Sequence, residues 1–184
     1  MLRLVPLLPL VLGCTSLVPA TALKLRNLDP LTADPANISV AVDLPEGLGI
    51  MPGSVILTLS SRNAEGQALD GAYALDETRD NEGRRRFQIA PEDQAELRAL
   101  QSRARAWEEA DPDGTFGSIS ISVEGCQSAP DANFTNARAS VYISLAPDAP
   151  AMPLFRNAPL SQVLAAEDLA MLPPCPQDHS RPNP

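Results

Sequence analysis

Clustered carboxylates are the residues of this chain whose type and spacing could do chemistry. Asp76, Glu77 and Asp80 lie close together in the sequence, shortly before Gly83. A pair of carboxylates can act as general acid and general base, as in glycosidases. These acids lie in what we interpret as a turn between two strands, where solvated acidic side chains are the ordinary expectation. We therefore predict no catalytic residue among them.

The sequence contains few residues that could serve in nucleophilic catalysis or as metal ligands. The single histidine, His179, lies in a polar, proline-rich tail that we expect to be disordered. Serine or cysteine catalysis needs an ordered imidazole, and most metal sites need several His or Cys ligands. Asp111, Asp113 and Gly114 are similar to the start of a calcium loop, but the distal Glu is missing. The sequence thus predicts no catalytic, cofactor-binding or metal-binding residue, and no cofactor.

The N-terminus has the composition of a secretory signal. Arg3 supplies a positive charge, and the apolar run from Leu4 to Leu12 is shorter than the ~20 residues that span a bilayer. The run closes on Val11-Leu12-Gly13-Cys14. This segment resembles the lipobox of bacterial lipoproteins, in which a small residue precedes a cysteine that is acylated and becomes the mature N-terminus. The resemblance implies a signal peptide over residues 1–13 and a lipid (palmitate) on Cys14.

A second cleavage signal lies downstream of the first. Ala20-Thr21-Ala22 has the A-x-A form that ordinary signal peptidase recognises, which would release a soluble protein beginning at Leu23. The lipobox implies a lipid-anchored protein on the periplasmic face of the outer membrane, whereas the second site implies a soluble periplasmic one. An uncleaved N-terminus is the third alternative. The segment Leu28–Pro35, with the size and the signal, also resembles small envelope lipoproteins of Gram-negative bacteria, which implies no particular activity.

Either cleavage leaves one cysteine pair. Once Cys14 is acylated or removed, Cys126 and Cys175 are the only cysteines available for an intrachain bridge in an oxidising compartment. Such a bridge would close a loop of roughly 50 residues. In the chain-entropy model, closing a loop of this length stabilises the folded state by about 4 kcal/mol. The alternative is two unpaired buried thiols.

Alternation of apolar and polar residues predicts strands with one buried face. The strand from Phe116 to Gly125 is the clearest, with Ile119, Ile121 and Val123 on one side and serines on the other. We expect it to be a core strand that also anchors the C-terminus through Cys126. The same alternation, with short turns between, predicts further strands at 38–44, 55–59, through 73–75, through 87–89 and at 138–145.

Pro91 changes the period from that of a strand to that of a helix. Leu97, Leu100, Ala104 and Trp107 recur at spacings of three and four, which places them on one face of a helix. We predict an amphipathic helix over 91–110, with Trp107 packing on the core rather than binding a ligand.

The predicted fold is mainly β. We expect an antiparallel immunoglobulin-like β-sandwich of six or seven strands with one amphipathic helix; the alternative is α+β, a single antiparallel sheet covered by the helix. The expected organisation is a tether at 14–22, a domain at 23–146, an extended segment at 147–175 pinned to that domain, and a disordered tail at 176–184.

The formal net charge of −9 argues against a nucleic-acid partner, which needs clustered Lys and Arg. The basic run Arg84–Arg86 is expected to be a solvated strand end or edge. We expect a non-enzymatic envelope lipoprotein that binds or scaffolds an envelope component, with the membrane as partner through its lipid and an envelope protein as a further partner. The alternative is a soluble periplasmic ligand carrier or a carboxylate-based hydrolase. The oligomeric state is left open.

Overall fold

The computed structural model describes residue 29 and residues 31–144, 151–162 and 169–176. The predicted signal peptide, Cys14 and the second cleavage site lie outside the described residues, as does His179.

Nine strands and one α-helix make up the described chain, and the prediction of a mainly β antiparallel fold with one helix is confirmed. Short 3-10 turns lie at Pro35–Asn37 and Leu160–Gln162. The elements in chain order are β1 Ser39–Asp43, β2 Leu48–Ile50, β3 Ile56–Arg62, β4 Ala68–Arg79, β5 Arg85–Ile89, α1 Gln94–Ala110, β6 Phe116–Ser122, β7 Gly125–Gln127, β8 Arg138–Ser144 and β9 Met152–Pro159.

Seven of these strands form one curled sheet in the order β6-β3-β4-β5-β1-β8-β9, and all its pairs are antiparallel. The long strand β4 causes part of the curl. Its first half pairs with β3, from Ala68 to Ala74, and its second half pairs with β5, from Leu75 to Arg79. A strand that changes partner midway carries the twist of one half of the sheet into the other. The strands flanking β4 therefore bend around a common apolar space.

Helix α1 covers part of one face of this sheet. Its residues Leu97, Leu100 and Ala104 are buried against strands β3, β4 and β5, and Trp107 packs at the edge of the same cluster, as predicted. The approach is close at Gly71 of β4, because a Cβ there would lie 2.6 Å from a methyl carbon of Leu100. Gly71 thus sets how near the helix lies to the sheet.

The segment before β1 attaches to the helix by polar contacts. Arg98 pairs with the Asp34 carboxylate at 2.7 Å, and Gln101 donates to the carbonyl of Ala33 at 3.0 Å. The Asp34 side chain also accepts from the Ala36 amide, which begins the 3-10 turn containing the buried Pro35. These contacts hold Pro35 against the same face of the sheet that helix α1 covers.

The predicted cysteine pair is present in the second, two-stranded sheet. Strand β7 pairs with β2, and Cys126 of β7 lies 2.05 Å, sulfur to sulfur, from Cys175. Gly49 faces Cys126 across the pair, and a Cβ on Gly49 would lie 2.6 Å from the Cys175 sulfur. Backbone bonds between Gln127 and residues 173 and 175 hold the same segment. The segment expected to be extended therefore contributes β9 to the sheet and is fastened again at Cys175.

Two predictions about position are wrong. The Phe116–Gly125 strand was expected in the core, but β6 is an edge strand whose residues are all exposed, and Cys126 belongs to a different strand, β7. The run Arg84–Arg86 was expected to be a solvated strand end or edge; it does lie at the start of β5, but β5 is an interior strand, between β4 and β1, and the run is partly buried. The side chain of Arg84 is only 11% exposed.

Candidate functional site

An apolar cavity of about 480 Å³ lies in the concave face of the curled sheet. Helix α1 borders it through Leu97 and Gln101, and Pro35 closes the N-terminal side. Every strand of the seven-stranded sheet contributes a side chain to its wall; in strand order these include Ile121, Leu57, Leu75, Phe87, Val40, Ile143 and Leu154. Because both edge strands, β6 and β9, border one cavity, the sheet has curled most of the way towards a closed barrel.

The cavity is open along β6. Leu57 and Leu59 of β3 are 8% and 2% exposed, whereas their cross-strand partners Ile121 and Ile119 are 49% and 47% exposed. Directly paired residues lie on the same face of a sheet, so the apolar face continues beyond the part that helix α1 covers. Half of each isoleucine side chain is therefore available to a ligand or a partner.

Few polar side chains reach the cavity, and none of the described lining residues is titratable. The polar residues of the lining are Ser39, Gln88, Gln101 and Ser120. Ser120 lies between Ile119 and Ile121, so its side chain is on the alternate face of β6, and Gln101 already bonds to the backbone of the 3-10 segment. A wall of this kind can hold an apolar group and fix its position at one or two points. It offers no proton donor or acceptor of perturbed pKa for catalysis.

The carboxylates singled out from the sequence do not converge on the cavity. Asp76 and Glu77 lie on strand β4 rather than in the turn where the sequence placed them, and only Asp80 lies in that turn. Glu77 forms a two-point ion pair with Arg85, with both contacts at 2.6 Å. Asp111 accepts from the Gly114 amide at 3.0 Å at the end of the helix, which agrees with its interpretation as a helix terminus.

Arg84 is the centre of a polar cluster on the other side of the sheet. Its Nε donates to Asp80 Oδ2 at 2.6 Å, and its guanidinium lies 4.2 Å above the ring centroid of Tyr142. The Tyr142 hydroxyl donates to Asp43 at 3.1 Å. The cluster thus ties the β4–β5 turn to β8 and β1, which makes it a structural feature of the fold.

Asp80 is the titratable group that this cluster perturbs most clearly. Burial alone would raise the pKa of Asp80, but hydrogen bonds from the Arg84 side chain and from the backbone amides of Arg84 and Glu82 outweigh it. The pKa of Asp80 is consequently lowered below its ordinary value, and the carboxylate is charged throughout the neutral range.

The described residues contain no group of three or more His, Cys, Asp or Glu side chains placed to hold a metal ion. None of the helices described is both long enough and apolar enough to cross a membrane. The chain matches no family model, curated protein or solved structure.

The cavity is the feature that sequence reasoning missed. Most of its lining residues were predicted as strand or helix residues, and Leu154 was predicted in the extended segment at 147–175. Nothing in their spacing shows that β6 and β9 border the same space. The available signal was the composition of the sheet: aromatics make up only 4% of the chain, so few large side chains are present to fill the concave face.

Proposed function

We propose that this protein is a non-enzymatic binding module of the bacterial envelope, which holds a single apolar chain, such as a fatty acyl group, in the concave cavity. One observation carries the proposal: a cavity of about 480 Å³ whose wall takes apolar side chains from all seven strands of the main sheet. Ligand cavities in proteins typically measure ~300–1,000 Å³ and are predominantly apolar.

The chemistry of the wall favours an acyl group over a polar small molecule. No charged side chain among the described lining residues would recognise a phosphate or carboxylate deep in the cavity. Each methylene transferred from water contributes about 0.8 kcal/mol, so ten buried methylenes supply roughly 8 kcal/mol before the entropy cost of binding. The half-exposed isoleucines of β6 mark the side at which a polar head group would meet solvent.

Binding without catalysis also suits the polar groups of the described residues. Two of the three carboxylates that could serve a hydrolase are paired with arginines, Glu77 with Arg85 and Asp80 with Arg84, and Asp76 is an exposed residue of β4 outside the cavity lining. The positions of these carboxylates therefore do not support carboxylate-based hydrolysis. The apolar cavity supports the ligand-carrier alternative.

The envelope location rests on the sequence. We propose that Cys14 carries the lipid that anchors the protein to the outer membrane, facing the periplasm; release at Leu23 as a soluble periplasmic protein is the alternative. The Cys126–Cys175 pair supports export, because disulfides persist in oxidising compartments. An anchor at the membrane surface would raise the local concentration of acyl ligands around the cavity.

Ligand binding can be tested by filling the cavity. Leu154→Trp places an indole in the cavity wall, while Arg156→Trp makes the same change at an exposed position of the same strand, outside the lining. We expect the wild type and Arg156→Trp to bind a polarity-sensitive fluorescent fatty acid saturably, and palmitate to displace it. Leu154→Trp should weaken binding at least ~tenfold, which corresponds to 1.4 kcal/mol.

Circular dichroism and thermal melting of both variants would show that they fold. Absence of saturable fatty-acid binding by the wild type, or equal loss in the two folded variants, would contradict the proposal.

A further inference from the structure

The two edge strands of the seven-stranded sheet differ in how well they are protected from pairing with another chain. Edge strand β9 contains two prolines, the exposed Arg156 and a left-handed Asn157 at φ 50°, and its register with β8 is irregular. Prolines, charges and irregular register are the devices by which proteins keep a sheet edge from pairing with another chain. One edge of this sheet is therefore protected.

Strand β6, at the other edge, has none of these devices. Its sequence from Phe116 to Ser122 contains no charged residue and no proline, and it pairs with β3 in unbroken register along its whole length. All seven residues are exposed, and no other strand of the described chain lies beyond it. A regular, uncharged edge with an apolar face is a template for adding a further strand.

The sequence of β6 is self-complementary, so two copies of the strand can pair antiparallel with like residues opposite each other. Residues 118–122 read Ser-Ile-Ser-Ile-Ser, which is symmetric about Ser120. In an antiparallel pair of two copies related by a two-fold axis at Ser120, Ile119 of each copy faces Ile121 of the other, and serines face serines. A shift by one residue would set isoleucine against serine and turn one sheet over, so the alternation restricts the register.

We propose that a second copy of this chain binds at β6, through antiparallel β6–β6 pairing about Ser120. The pairing joins two sheets of seven strands into one and covers the half-exposed isoleucines of both copies. Serine-to-serine contacts on the other face have a precedent within the chain, where the Ser60 and Ser118 hydroxyl oxygens lie 2.9 Å apart across β3 and β6.

A charge exchange at the two-fold axis tests this interface. Ser120→Glu sets two carboxylates opposite each other, and Ser120→Lys sets two ammonium groups opposite each other; each variant should raise the dimer dissociation constant at least ~tenfold. An equimolar mixture of the two variants should restore the dimer, because the opposed charges then attract. The control is Thr58→Glu, since Thr58 pairs with Ser120 on β3, one strand inside the edge.

The measurement is sedimentation velocity over a range of concentrations, on full-length protein carrying Cys14→Ser so that no lipid contributes to association. We expect wild type and Thr58→Glu to dimerise, each Ser120 variant to be monomeric, and the mixture to form a heterodimer. Wild type that is monomeric at every concentration would overturn the proposal. That result would mean that β6 stays free, binds another segment of the chain or binds a different protein. A dimer that persists in Ser120→Glu would overturn it as well.

Discussion

At the residue scale, Arg84 and Arg85, at the start of β5, are committed to the fold. Arg84 joins Asp80, Tyr142 and Asp43 into one cluster, and Arg85 pairs with Glu77 and also donates to the carbonyl of Ile50 at 3.1 Å. A guanidinium that is mostly buried and paired cannot be reversed in charge without leaving its partner uncompensated. These residues are therefore poor candidates for a surface that recognises a partner.

The lowered pKa of Asp80 makes part of the stability depend on pH. Because the pKa is lower in the folded chain than in the unfolded one, the stabilisation is fully present above the unfolded value of about 4. It is lost as the pH falls through the folded value. Asp80→Asn keeps an acceptor for the turn amides but removes the charge, and should cost about 1–2 kcal/mol at neutral pH.

Urea unfolding of wild type and Asp80→Asn between pH 7 and pH 3 measures this effect. The difference between the two proteins should be constant above about pH 5 and should shrink below about pH 4. Glu82→Gln is the matched control, since Glu82 also contacts Arg84 but its side chain is 70% exposed; its effect should be close to zero. A difference between wild type and Asp80→Asn that does not change with pH would contradict this assignment.

At the scale of elements, the contact between α1 and β4 depends on the absence of a side chain. A Cβ at Gly71 would meet Leu100 at 2.6 Å and the Tyr73 hydroxyl at 2.7 Å. Both neighbours are buried in the main core, so the helix or the tyrosine must move to make room. The same glycine pairs with Leu59, the most buried residue of β3.

Gly71→Ala should consequently lower the free energy of unfolding by about 1–3 kcal/mol. Gly117→Ala is the control, because Gly117 also lies in a strand of this sheet but its nearest contact to an added Cβ is at 3.6 Å, an ordinary van der Waals distance. We expect that variant to match the wild type or to be slightly more stable. Equal melting temperatures for Gly71→Ala and wild type would show that the helix does not need this close approach.

Most elements could be predicted from the sequence because their apolar periods are regular. The helix was expected at 91–110 and lies at Gln94–Ala110, and the strand expected at 138–145 is β8. Periodicity identifies which face of a strand is apolar, but it does not show whether another element covers that face. For this reason β6 was expected in the core, although half of each of its isoleucine side chains is exposed.

Features that depend on distant pairing could not be predicted in the same way. The cavity requires both edges of the sheet to lie around one space, which follows from the curl at β4 and not from any local pattern. The buried arginines depend on the hairpin register, which brings Glu77 close to Arg85. Cys126 and Cys175 could be paired because, once Cys14 was assigned elsewhere, no other cysteine remained.

At the scale of the whole molecule, the proposed anchor and the described domain have separate roles. A lipid on Cys14 would hold the protein at the membrane, and the described domain would present its cavity to the periplasm. A single acyl chain gives only weak membrane binding, so stable anchoring takes more than one. The diacylated cysteine of bacterial lipoproteins meets that requirement.

Fractionation of wild type and Cys14→Ser tests the anchor. Wild type should sediment with outer-membrane vesicles and resist extraction by high salt, because acyl insertion is not electrostatic. Cys14→Ser should appear in the soluble periplasmic fraction or remain unprocessed. Wild-type protein that begins at Leu23 and stays soluble would show that the second cleavage site is the one used.

The pairing of β1 with β8 also sets the order in which the protein can fold. Asp43 and Tyr142, which bond across these strands, are 99 positions apart, whereas the β3–β4 and β4–β5 pairs are local hairpins. Contacts over long sequence separations slow folding, since the chain loses entropy before it gains the contact. A ribosome must therefore deliver nearly the whole domain before β1 has both its neighbours. If the chain is exported as proposed, the sheet would likewise be completed only after nearly the whole domain had crossed the membrane.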